Sequence, residues 1–129
     1  MTVLIYDASA LLAVVYGEPG AETVIEHLGA PGGFVSAVNW AEVATKMMER
    51  GLTPADLAHE LSSFSLHVVP LSESMALAAA RLRTETRALG LSLGDRCCLA
   101  LAQLHKAARV ITADRAWKKL RGFDVAVIR

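Results

Sequence analysis

The chain has 129 residues, 53% of them hydrophobic, which predicts one domain over residues 1–129 with enough apolar material for a sheet and helices. Thirteen basic residues balance thirteen acidic ones, which excludes a global basic field as the driver of nucleic-acid binding and leaves only local patches. A mean hydropathy of +0.39 excludes a disordered polar chain.

Val3 to Tyr6 run apolar without a polar break and stop at Asp7, the pattern of a strand buried on both faces. Ala8 to Tyr16 continue as a helix to Gly17, and residues 21–28 place Val24, Ile25 and Leu28 at helical spacing. The glycines between 29 and 33 break that helix. A short strand at 34–36 leads to a helix over 39–50, where Asn39 and Glu42 have capping-box spacing. Thr53, Pro54 and Asp56 restart a helix over 54–64 with a cap residue, a first-turn proline and an acid at N3.

A third strand follows at 66–70, then a long helix over 72–89 with Met75, Ala78, Ala79 and Leu82 on one face. Ser92-Leu93-Gly94-Asp95 opens a helix through Lys106 that is apolar on most sides and therefore central. Val110 to Thr112 form a fourth strand, 115–120 a short helix, and 125–128 the last strand. Strands alternate with helices throughout, which predicts a parallel sheet covered on both faces.

Cys97 and Cys98 are adjacent on a helix, where neighbouring side chains diverge and are poorly placed to bridge each other. No CxxC pair offers a zinc site. Buried thiols in a reducing cytoplasm are the simplest expectation. The first residues lack a basic leader region, and the apolar stretch 8–16 is too short to span a bilayer.

Four carboxylates stand out. Asp7, Glu42, Asp95 and Asp114 each lie just past a predicted strand or in the first turn of a helix. In a parallel sheet these positions share one edge, where open α/β sheets bind ligands. Each also has a structural role open to it: Asp7 and Asp114 as N-caps, Glu42 and Asp95 in capping boxes with Asn39 and Ser92. An acidic cluster suits Mg²⁺ or Mn²⁺, hard cations that take carboxylate and water. Ser9 and Thr112, each two residues from one of these acids, suit holding a carboxylate or a metal-bound water. His27, His59, His67 and His105 are scattered and read as ordinary surface or half-buried residues. Arg96, Lys118 and Lys119 border the acids and are the candidate backbone contacts for a nucleic acid.

The acids in this order and context resemble those of the PIN-domain family, specifically VapC-like toxins of toxin–antitoxin pairs. The carriers are VLIYDASALLAVVYGEPG at the N-terminus, NWAEV around Glu42, LSLGDRCCLALA around Asp95 and VITADRAWKKL around Asp114. The resemblance spans nearly the whole chain. It implies a three-layer α/β/α fold, Mg²⁺- or Mn²⁺-dependent endoribonuclease activity and a homodimer. It also implies an antitoxin partner whose C-terminal segment lies in a groove near the site. It carries the family's acidic positions onto Asp7, Glu42, Asp95 and Asp114, and its hydroxyls onto Ser9 and Thr112.

On that reading Asp7, Asp95 and Asp114 bind metal, directly or through water. Glu42 shares ligation or orients the attacking water. Two rivals stay open: a non-catalytic interaction module with the same fold, and a receiver-like domain phosphorylated on Asp7. Trp40 and Trp117 lie near the acids and read first as core residues. The apolar residues Leu11, Leu12, Val15, Leu52, Leu57, Leu61 and Phe64 are candidates for a groove that takes an antitoxin helix.

Overall fold

The first strand, β1 (Val3–Tyr6), is the centre of a five-stranded sheet in which every pairing is parallel. In this computed structural model residues 2–28 and 33–129 are described. The helix break expected at 29–32 lies outside the described residues, as does the Leu61 side chain.

The chain continues through α1 (Ala8–Tyr16), α2 (Ala21–Leu28), β2 (Gly33–Ser36), α3 (Ala37–Glu49), α4 (Pro54–Phe64), β3 (His67–Val69) and α5 (Glu73–Glu85). A 3-10 turn at Arg87–Leu89 leads to α6 (Leu93–Gln103) and β4 (Ala108–Thr112). A second 3-10 turn at Arg115–Lys119 precedes β5 (Asp124–Val127).

The sheet order is β3-β2-β1-β4-β5. Ile5 pairs with Phe34 on one side and with Val110 on the other. The period-two alternation of a strand then divides the core. Ile5 and Val110 face α5 and α6, packing with Met75, Leu82, Leu99 and Trp117. Tyr6, Val35 and Ile111 face α1 to α4, packing with Leu11, Val24, Val43 and Met47. Helices on both faces of the parallel sheet make the three-layer α/β/α sandwich expected from the sequence. No helix among the described residues is long and apolar enough to cross a membrane.

Three expectations need correction. The helix at 39–50 begins two residues earlier, with Ser36 as its cap: the Ser36 side chain accepts from the Asn39 N–H. Asn39 is therefore inside the helix and is no cap. The helix expected over 72–89 stops at Thr86, whose hydroxyl donates to the Leu82 carbonyl at 2.6 Å, a side-chain bond that competes with the helical ladder. Finally, Leu11 and Leu57 are buried in the core beneath α1 to α4, so they are not free to line a groove, whereas Val15, Leu52 and Phe64 line a cleft of about 270 Å³. Helix α4 itself carries the expected capping box between Thr53 and Asp56.

Candidate active site

Reading outward from β1, the sheet order reverses between β1 and β4. Chain connections leave β1 toward β2 and β3, then return to its other side. Such a switch point opens a crevice at the carboxyl ends of the strands. Asp7 sits in it, 3% exposed.

Asp7 caps α1, its Oδ1 accepting the Ala10 N–H at 2.8 Å. The cap uses one carboxylate oxygen. The other, Oδ2, accepts the Thr112 hydroxyl from the end of β4 at 2.5 Å. The Ser9 hydroxyl lies 2.8 and 2.9 Å from the two oxygens. Both hydroxyls are aimed by the backbone behind them: Ser9 Oγ accepts the Ala113 N–H and Thr112 Oγ1 the Asp114 N–H. With acceptor positions so occupied, their protons point at Asp7. Burial pushes the Asp7 carboxyl up to about 6; the bonds from Thr112, Ala10 and Ser9 oppose this, and the charge of Asp95 adds to it.

Asp95 stands at N3 of α6 in a capping box, accepting the Ser92 N–H at 3.0 Å while its own N–H bonds Ser92 Oγ. Glu42, one turn into α3, is held by the Asn39 side chain at 3.0 Å. Its pKa is raised, first by partial desolvation and further by Asp95, against the Asn39 hydrogen bond. Asp95 thus lies close enough to act on both Asp7 and Glu42. All three also act on the thiol of fully buried Cys98 in α6, which burial pushes well up.

Asp114 is different. Its carboxylate is exposed and accepts the Ala116 N–H, capping the 3-10 turn at Arg115–Lys119. Its backbone N–H joins it to the site through Thr112 Oγ1, and the cap uses one of its two carboxylate oxygens. Among the described residues no group of three or more His, Cys, Asp or Glu is gathered tightly enough to enclose an ion. The donor set is nonetheless all carboxylate and hydroxyl oxygen. That suits Mg²⁺, which keeps several waters and takes one or two carboxylates in place of a full protein cage.

Of the basic residues singled out in the sequence, Lys118 and Lys119 are exposed on the 3-10 turn after Asp114. Arg96 is not free in the same way: its guanidinium donates to the Ala79 carbonyl of α5 at 2.9 Å. The sequence pattern did not single out a second set of cations. A cleft of about 370 Å³ opens beside Ser9 between α1 and α3, with Lys46, Arg50 and Arg129 on its walls. Arg50 lies 3.9 Å over the Tyr16 ring. The spacing Glu42 to Lys46 to Arg50, four residues each, puts all three on one helix face and was readable in the sequence. Trp117 is fully buried and Trp40 half-buried against Phe64, as core residues should be.

A family model for the PIN domain matches residues 4–122. None of the curated proteins compared with the chain matches it. Among solved structures, a toxin–antitoxin complex from Klebsiella pneumoniae is similar at 22% identity and TM-score 0.77, covering 98% of each chain. DNA-bound VapBC from Salmonella typhimurium is similar at 16% identity and TM-score 0.75, over 100% of both chains. VapBC-5 from Mycobacterium tuberculosis gives 23% identity and TM-score 0.61, over 99% of this chain and 98% of that one. At these identities the likeness is one of fold.

Proposed function

The chain belongs to the PIN-domain family, and on that premise we propose that it is the toxin of a toxin–antitoxin pair, an endoribonuclease that hydrolyses RNA phosphodiester bonds with Mg²⁺ or Mn²⁺. PIN domains generally use divalent metal ions. The observation that carries the reading is the nearness of Asp95 to both Asp7 and Glu42, with Asp7 buried at the crevice between β1 and β4 and gripped by two hydroxyls. A buried carboxylate pushed up to about 6 is costly as a mere cap and suited to a cation partner.

Asp7 and Asp95 would hold the ion, with Asp114 adding a carboxylate from the β4 side. When bound there, a divalent ion lowers the pKa of its water and neutralises phosphate charge. The chain's own part is positional. Ser9 and Thr112 fix the Asp7 oxygens. Glu42 Oε1 is taken by Asn39, which leaves Oε2 to accept a proton from the attacking water. The water oxygen bonds to phosphorus, the bond from phosphorus to the leaving ribose oxygen breaks, and that oxygen takes a proton from solvent. Lys118 and Lys119, exposed on the turn after Asp114, would meet backbone phosphates. The partners on this reading are RNA, a second copy of the chain in a homodimer, and an antitoxin; the antitoxin is supported by the similar Klebsiella pneumoniae structure, itself a toxin–antitoxin complex.

The test is cleavage of single-stranded RNA by purified protein, with Mn²⁺ and with chelator. Cleavage that needs the ion and is lost in Asp7→Asn supports the reading. Equal cleavage by wild type and Asp7→Asn, or none by freshly purified wild type freed of antitoxin, overturns it in favour of a non-catalytic module.

A further inference from the structure

Asn39 is 1% exposed, and its side-chain amide joins two helices. Oδ1 accepts the Ser36 hydroxyl at 2.5 Å. The two amide hydrogens diverge: one goes to Glu42 Oε1 at 3.0 Å, the other to the Gly94 carbonyl on α6, also at 3.0 Å. A flipped amide would set its oxygen against two acceptors, so only this orientation satisfies the network. Gly94 completes the arrangement from the other side. A Cβ built there overlaps Glu42 Oε1 and lies 2.8 Å from Cδ. The Glu42 carboxylate therefore rests on the bare Cα of Gly94, beside Asp95.

Fold stability asks for an amide here only through the buried Ser36 hydroxyl, which donates to Asn39 Oδ1. Asn39 occupies the same core-facing stripe of α3 as Val43 and Met47. An apolar residue would fill that place at the cost of that one bond, leaving the Ser36 hydroxyl without its acceptor. What an apolar residue cannot do is hold a carboxylate on one helix against a carbonyl on another.

We propose that Asn39 is a positioning residue that ties Glu42 on α3 to the Gly94–Asp95 turn of α6 and thereby fixes the separation of the two carboxylates beside Asp7. The role rests on the metal-dependent reading above. Removing residues that orient ligands from behind lowers metal affinity or activity by about 10- to 100-fold.

The experiment is a double-mutant cycle of Asn39→Ala and Glu42→Gln, read in two quantities. One is Mn²⁺ affinity by titration of the metal-stripped protein; the other is kcat and KM for RNA cleavage. The coupling is judged in whichever quantity Glu42→Gln changes. Asn39→Ala is expected to lower that quantity by about 10- to 100-fold, with KM within about threefold. In the Glu42→Gln background it is expected to cost less than about threefold more, because residues acting through one another are not additive. Gly94→Ala leaves the amide intact and displaces Glu42 directly; it is expected to reproduce the loss, and it decides the matter if Asn39→Ala does not fold. Equal losses in both backgrounds, wild-type values in folded Asn39→Ala and Gly94→Ala, or no effect of Glu42→Gln on either quantity would each overturn the assignment. Protein that binds Mn²⁺ with this coupling but cuts no RNA would refute the nuclease reading and leave the positioning role standing.

Discussion

Thr112 donates its hydroxyl to Asp7 Oδ2 at 2.5 Å across 105 positions of sequence. The bond joins the ends of β1 and β4, the two strands that flank the switch point of the sheet. It makes the most buried carboxylate of the site answerable to a residue on another strand.

Thr112→Val removes that donor at nearly constant shape. The anion of Asp7 loses support and its pKa climbs beyond about 6. We expect a destabilisation of about 1–3 kcal/mol, larger at pH 8, where Asp7 is ionised, than at pH 4, where it is protonated. Urea unfolding at both pH values checks it; equal losses at each would contradict the account.

The metal-free protein should gain stability as pH falls from 6 to 4. A carboxylate whose folded pKa is near 6, above its ordinary value of 3.8, destabilises the fold when ionised. That penalty, about 3 kcal/mol for a shift of this size, is fully present above pH 6 and shrinks toward pH 4. Asp7→Asn should therefore melt several degrees higher than wild type in chelator at pH 7.5, and Mn²⁺ should raise the wild type only. If Asp7 were no more than a cap, Asn would serve equally well and the two melts would coincide.

Asp95→Asn is expected to act in the opposite direction. Asp95 closes a capping box with Ser92 at the positive end of α6, where a charge contributes about 0.3–1 kcal/mol. Its loss should slightly lower the melting point in chelator while abolishing cleavage. A variant that melts higher than wild type would show that repulsion among the acids outweighs the cap.

Removing both thiols should leave cleavage intact. Cys97 and Cys98 are free and buried, and burial raises both pKa values, so neither is a nucleophile at neutral pH. Cys97→Ser with Cys98→Ala is expected to retain activity at a modest loss in melting temperature. Abolished cleavage in the folded double variant would place a thiol in the chemistry.

Lys118 and Lys119 should differ from Arg96. Neutralising either lysine is expected to weaken RNA binding and reduce the slope of log affinity against log salt by about 0.7 for each phosphate no longer neutralised. Arg96→Ala should lower stability, through its bond to the Ala79 carbonyl, and leave the salt slope unchanged. A salt series on the three variants separates the two behaviours.

The sequence by itself determined the order and type of the elements and several of the residues at their ends. Apolar runs ending in Asp7 and Thr112, and the boxes Thr53–Asp56 and Ser92–Asp95, depend on neighbours within a few positions, so they are legible along the chain. The period of two in β1 told which side chains would be buried but not which strand would lie beside it. Only the closed core, packing α5 and α6 on one face and α1 to α4 on the other, set β4 next to β1 and brought Thr112 to Asp7. Tertiary structure also decided where each carboxylate points, because a side chain turns to the nearest donor that folding supplies. For Asp114 that donor is Ala116; for Glu42 it is Asn39. Asn39 looked like a helix cap because its spacing to Glu42 is local, whereas its bond to Gly94 spans 55 positions. Arg96 looked like a free cation for the same reason, until α5 came to lie beside it and offered the Ala79 carbonyl.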